Sequence, residues 1–146
     1  MKKPAVKRKK PCRKDWSPHL YRYTVRVLEV VDGDSIKVDF DFGYDRNDRE
    51  ALLRLFNFNS NEMKDKDPEK QAKAVKAQKL LARLCPVGSV LMIVTEYDRN
   101  EKFGRFMGWV YNDPTVPAIP ENSVNTAMIK SGLASQWDGS GSRPTV

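Results

Sequence analysis

Residues 30–38 read VVDGDSIKV, and the rest of the chain can be placed outward from them. Val30 and Val31 precede an acidic turn; Ile36 and Val38 follow it in alternation. Asp-Gly between apolar segments signals a hairpin, because glycine accepts the positive φ that tight hairpin turns need. Such a turn leaves two carboxylates, Asp32 and Asp34, at the end of a strand pair, where a hard cation or a metal-bound phosphate could sit. A solvated hairpin tip has the same signature, so the meaning of the stretch depends on partners for Asp34 elsewhere.

On the N-terminal side, residues 22–31 alternate: Tyr23, Val25 and Val27 share one face, Arg22, Thr24 and Arg26 the other. That is a strand with one buried side. Ile36, Val38 and Phe40 extend a second strand, and polar residues 41–48 read as a loop or a long hairpin tip. Residues 51–58, ALLRLFNF, form a third strand with Arg54 in its middle, opposite Leu53 and Leu55; Asn59-Ser60-Asn61-Glu62 is a polar turn. Asp67 and Pro68 are the N-cap and first residue of a helix to about Leu84. Ala74, Ala77, Leu80, Leu81 and Leu84 face inward, while Lys70, Lys73, Lys76 and Lys79 read as solvated.

Pro86 and Gly88 stop the helix. Residues 89–97 are a fourth strand, 98–104 a polar hairpin and 106–111 a fifth strand. Three prolines, Pro114, Pro117 and Pro120, stiffen the next connection. Ser123 caps a short helix to Ser131, with Val124, Ala127 and Met128 inward and Gly132 at its end. Three strands, a helix, two strands and a helix give an α+β, mainly β, class: a five-stranded, antiparallel OB-fold-like barrel with two helices. That architecture often binds nucleic acid, but a fold does not specify a function.

The net charge of +7 is unevenly placed. Lys2, Lys3, Lys7, Arg8, Lys9, Lys10, Arg13 and Lys14 lie in residues 1–14 with no acid among them, and the remaining chain has 18 basic and 19 acidic residues. The tail is thus a candidate contact for polyanions, through counterion release and without sequence reading; a solubilising tail is the bland alternative. Residues 1–19 read as this disordered tail plus a lead-in segment, 20–138 as the folded domain and 139–146 as a flexible Gly/Ser/Pro tail. Cys12 and Cys85 suit neither a disulfide framework nor a zinc site, and His19 has no ligand-like neighbours. No apolar run reaches the roughly 20 residues of a membrane helix, and no apolar segment follows the basic start. A cytoplasmic or other intracellular monomer, without membrane contact or nucleotide cofactor, is the expectation.

Four motifs stand in one order: V-V-D-G-D-S, R-L-F-N-F-N-S-N-E, K-F-G-R followed by Trp109-Val110-Tyr111, and V-N-T-A-M-I-K-S-G-L-A, with the long helix between the second and third. Together they resemble the thermonuclease family, the staphylococcal-nuclease-like enzymes, over residues 20–138. The resemblance implies a calcium ion held by Asp34, Asn59 and the Ser60 carbonyl, with Asp32 just behind. It implies Glu62 as general base or orienter of the attacking water, and Arg54 and Arg105 on the scissile phosphate. It further implies sequence-nonspecific cutting of DNA and/or RNA at the bond to the 5′ oxygen, leaving 3′-phosphate ends. These residue types suit the task. Calcium accepts irregular oxygen sets, and guanidinium forks match phosphate oxygens while staying charged. Phe103, in K-F-G-R, is a further candidate nucleic-acid contact.

The chain departs from the family's pattern in three places. Asn59 stands where a second aspartate is common, which lowers the ligand charge and hence the expected calcium affinity. Asn61 replaces a proline before the glutamate. After Gly132-Leu133-Ala134 the family's tyrosines and third helix give way to Ser135-Gln136-Trp137-Asp138, leaving Trp137 either an aromatic wall for a base or a core-packing residue. Two readings follow: an active nuclease, and a catalytically weakened module on the same barrel that binds nucleic acid or protein. Glu62 discriminates them, because only the nuclease needs it.

Overall fold

The computed structural model describes residues 21–96 and 105–137, together with Ser142, Pro144 and Val146. β1 (Arg22–Val30), β2 (Ser35–Gly43) and β3 (Arg46–Leu55) run as a meander, followed by a short β4 (Phe58–Ser60). Helix α1 (Pro68–Leu84) leads to β5 (Val90–Glu96) and β6 (Phe106–Tyr111). Helix α2 (Val124–Lys130) and a short β7 (Ala134–Gln136) follow. The sheet closes in the order β1-β2-β3-β6-β5, and β4 pairs with β7 in a separate two-stranded sheet. This is the five-stranded OB-fold-like barrel with two helices.

Closure is where the antiparallel expectation fails. β3 and β6 pair parallel, Leu53 opposite Phe106 and Leu55 opposite Gly108. The α1 crossover and β5 bring β6 back in the direction of β3, a relation that hydrophobic alternation does not encode. The barrel is filled by Val25, Val27, Ile36, Val38, Phe40, Leu53, Leu55, Ile93 and Val110, all essentially inaccessible. α1 starts as its sequence dictates: the Asp67 side chain accepts from Glu69 N at 3.0 Å, and Pro68 opens the first turn. Its Ala74, Ala77 and Leu81 are buried. Among the described residues no helix is long and apolar enough to cross a membrane.

Other expectations need correcting. Of the two readings of residues 41–48 the long hairpin tip holds and the loop does not: β2 and β3 extend to a turn at Tyr44 and Asp45, whose φ values are 51° and 59°. Two consecutive left-handed residues make the turn that matches strand twist. Phe42 stacks on Phe40 at 5.3 Å and supports the extension. The third strand breaks after Leu55, because Asn57 enters the left-handed region at φ 74°. β7 had no signal beyond three ordinary residues. In α2, Ala127 is exposed, and Asn125 is the buried polar residue instead. Ser123 caps this helix through a bond from Thr126 N, and Gly132 beyond it has φ 78°. No helix follows α2 among the described residues. His19, Cys12, the basic tail and residues 98–104 lie outside the described residues, as does most of 139–146.

Candidate functional site

The turn between β1 and β2 is built by its own polar groups. Val31 N and Asp32 N donate to Ser35 O, at 3.0 and 3.3 Å. Asp34 N donates to Asp32 Oδ1 at 3.1 Å. Helix α1 clamps the base of the turn: Gln78 Nε2 donates to both Val30 O and Val31 O at 3.2 Å. Gly33 serves a different purpose from the one its sequence context suggested. Its φ is not in the left-handed region. A Cβ there would instead stand 2.7 Å from both Ala77 Cβ and Ser60 Oγ. Glycine lets the turn lie directly on α1 and β4.

This placement buries Asp34 among partners. Ser35 pairs with Arg54 across β2 and β3, and Leu55 N donates to Asp34 O at 2.8 Å. Arg54 Nη2 lies 3.7 Å from Asp34 Oδ2. Ser35 Oγ donates to Asp34 Oδ1 at 3.0 Å, and Ser60 N approaches Asp34 Oδ2 at 3.4 Å. β7 holds β4 in position, with Asn59 opposite Ser135 and Ser60 opposite Ala134. Parallel closure sets Arg105 immediately before Phe106, the partner of Leu53. The outcome is one cleft of about 560 Å³ lined by Asp32, Asp34, Arg54, Asn59, Ser60, Glu62 and Arg105. A smaller cavity of about 170 Å³ shares Asn59–Glu62 with it and adds Asp65, Lys70 and Pro144.

Burial pushes the Asp32 carboxyl up to about 7, helped by its hydrogen bond to Asp34 and by the charge of that carboxylate. The turn therefore crowds acidic oxygen into a desolvated corner, an arrangement that a bound cation relieves. Among the described residues no three His, Cys, Asp or Glu side chains converge on a ready-made metal cage. Asp34, Asn59 and Ser60, the residues that the family resemblance assigns to a metal through a carboxylate, an amide oxygen and a carbonyl, all line the cleft. An all-oxygen set of low charge fits calcium completed by water, and fits zinc or a soft metal poorly.

The cleft thus gathers every sequence-derived metal and catalytic candidate: Asp32, Asp34, Arg54, Asn59, Ser60, Glu62 and Arg105. Trp137 lies against Arg54, with the guanidinium carbon 5.1 Å from the ring centre. Phe103 and the eight basic residues of the tail fall outside the described residues. Asn61, in the turn before Glu62, has a buried amide nitrogen with no hydrogen-bond partner among the described residues. Two supports escaped sequence reasoning. One is Gln78 on α1, whose amide bonds the base of the acidic turn. Asn125 accepts from Val110 N at 2.9 Å and donates to Phe56 O and Gly108 O at 2.8 and 3.1 Å. It ties α2 to β6 and to the turn that launches β4. Its spacing from Met128 and Ile129 was the available signal, since it puts a polar residue on the inward face of a short helix.

No curated protein matches the chain. The family model described as staphylococcal nuclease homologue matches residues 52–144, more than half of the chain, starting within β3 and leaving the Asp34 turn to the fold itself. The protein belongs to the staphylococcal nuclease homologue family.

Proposed function

We propose that the protein is a calcium-dependent, sequence-nonspecific nuclease acting on DNA and/or RNA. The observation that supports this best is the convergence of an acidic metal-type turn, two arginines and a glutamate on one cleft, from positions as far apart as Asp34 and Arg105. In this reading Glu62 takes a proton from water as its oxygen bonds to phosphorus. Arg54 and Arg105 bind the non-bridging oxygens and stabilise the charge that develops on them. The bond to the 5′ oxygen then breaks; that oxygen takes a proton from solvent and leaves as a 5′-hydroxyl, and a 3′-phosphate remains. Asp34, Asn59 and the Ser60 carbonyl would hold calcium, with Asp32 behind them. When bound, the ion supplies a Lewis acid for a phosphoryl oxygen and an anchor for water. Residues 1–14 add a nonspecific hold on polyanions.

The test is degradation of plasmid, single-stranded DNA and RNA with calcium or chelator, by wild type and Glu62→Ala. Calcium-dependent cutting that the substitution lowers by about 100-fold or more is expected, the usual scale for a placed base. Absence of cutting by wild type at millimolar calcium and alkaline pH would instead favour the binding module.

A further inference from the structure

We infer that Val31, Leu52 and Met63 form an apolar wall of the cleft that takes the nucleoside joined to the bound phosphate. This rests on the nuclease reading above and names what holds its substrate beside the arginines. The three residues line the same cleft as Asp34, Arg54, Glu62 and Arg105. None of them belongs to the barrel core or is among the partly buried residues packed on it. Val31 is 38 % exposed, and Leu52 and Met63 are half-buried. One apolar residue at a surface is ordinary. Three from separate segments, meeting in an otherwise ionic cavity, point to a ligand with an apolar part. A cleft of about 560 Å³ also exceeds one phosphate and falls among the volumes that take a small organic ligand, about 300–1,000 Å³.

Each member of the wall stands beside a polar one. Val31 precedes Asp32, and Met63 follows Glu62. Leu52 shares with Arg54 the face of β3 opposite Leu53 and Leu55. The two are about 7 Å apart along the strand, within reach of a sugar and base attached to a phosphate held by that arginine. Helix α1 sets two of the three. Gln78 Nε2 donates to Val31 O at 3.2 Å, and Gln71 Nε2 donates to Met63 O at 3.3 Å. Gln71 and Gln78 are two helical turns apart, so α1 presents both amides on one side. Strand register fixes the third, with Leu52 opposite Lys37. A nucleotide unit, an anion joined to an apolar ring, satisfies both halves of such a cleft. Aliphatic side chains offer a base no donors or acceptors, so they pack on it without reading its edges. The wall thereby supports binding that is indifferent to sequence.

The experiment uses the full chain with isotope-labelled methionine methyls, calcium present. The Met63 resonance is assigned by its loss in Met63→Leu. Thymidine 3′-phosphate and thymidine 5′-phosphate, neither of which has a diester to cut, are titrated separately, with methyl phosphate as the probe that lacks base and sugar. At least one nucleotide should move the Met63 methyl saturably, and methyl phosphate should not. Leu52→Ser should weaken that nucleotide by about 10-fold, the low end of what one methylene decides in a hydrophobic pocket, and leave methyl phosphate unchanged. Val31→Ser, at an exposed position, should act in the same direction and decides the matter if Leu52→Ser fails to fold. No saturable shift up to millimolar nucleotide, or a shift that methyl phosphate reproduces, would overturn the wall. So would substitutions that bind nucleotide as wild type does, or that weaken both ligands equally. A nucleotide-specific shift in a wild type that never cuts DNA or RNA would count against the nuclease reading alone, because this readout needs no turnover.

Discussion

Gly33→Ala tests how the acidic turn is held. A Cβ at this position meets Ala77 Cβ and Ser60 Oγ at 2.7 Å and Ser60 Cβ at 2.8 Å, about 0.7 Å inside ordinary contact. The Ser60 hydroxyl can rotate, but the two Cβ atoms are fixed to the backbones of α1 and β4. Relief must come from lifting the turn off both. Forcing one methyl into a packed site costs roughly 1–3 kcal/mol, which for a domain of this size lowers Tm by roughly 3–10 °C. Activity should fall further than stability explains, because the same displacement opens the 3.4 Å approach of Ser60 N to Asp34. Misplacing a reacting group by 1 Å can cost about 100-fold in rate. The assays are thermal unfolding and calcium-dependent cleavage below the transition. Gly33→Asn is the decisive comparison. If the glycine served a left-handed turn, asparagine would be tolerated better than alanine; packing makes it worse. Asparagine equal to or better than alanine, or an unchanged Tm for alanine, would refute the reasoning.

Asn125→Ala removes the partner of Val110 N and the donor to two carbonyls in the interior, and should cost about 3 kcal/mol in urea unfolding. Tyr44→Asn with Asp45→Gly suits the left-handed turn at φ 51° and 59° and should add about 0.5–1 kcal/mol, read as a higher Tm. Burial pushes the Cys85 thiol up to about 12, so at pH 8 only about one molecule in ten thousand carries the thiolate. Iodoacetamide should leave Cys85 unmodified in native protein and alkylate it in urea, as followed by peptide mass spectrometry. Asn59→Asp adds a carboxylate to the candidate calcium ligands and should tighten calcium binding in calorimetry; unchanged affinity would remove Asn59 from the ligand set.

What was legible in the sequence was whatever one segment decides by itself. α1 begins at Pro68 and ends at Leu84, as its cap and stop residues require. The inward faces of β1 and β2 follow their alternation through Val25, Val27, Ile36, Val38 and Phe40. Properties that depend on two distant segments were not legible. Parallel closure of β3 on β6 and the β4–β7 pair are relations between strands, and three residues such as Ala134–Gln136 carry no period of their own. Gly33 shows the same limit at one residue. Its turn context suggested conformational freedom, while the actual constraint comes from Ala77 and Ser60, 44 and 27 positions away.

The site was legible as chemistry and not as geometry. Its residue types could be named because carboxylate, amide and guanidinium groups in that order suit a phosphodiester and a hard cation. What places Asp34 beside Arg54 is strand register, Ser35 opposite Arg54, secured on one side by Leu55 N to Asp34 O and on the other by the Gln78 clamp. A one-residue slip would turn Arg54 to the opposite face and dissolve the cleft. β2 and β3 do contain irregularities, but these fall between Val38 and Phe40 and between Asp41 and Gly43. The four pairs nearest the acidic turn, from Ser35–Arg54 to Val38–Ala51, are regular. The hairpin absorbs its twist and its strained turn at the far end, where Tyr44 is fully exposed, and stays in register where the carboxylate and the arginine must meet.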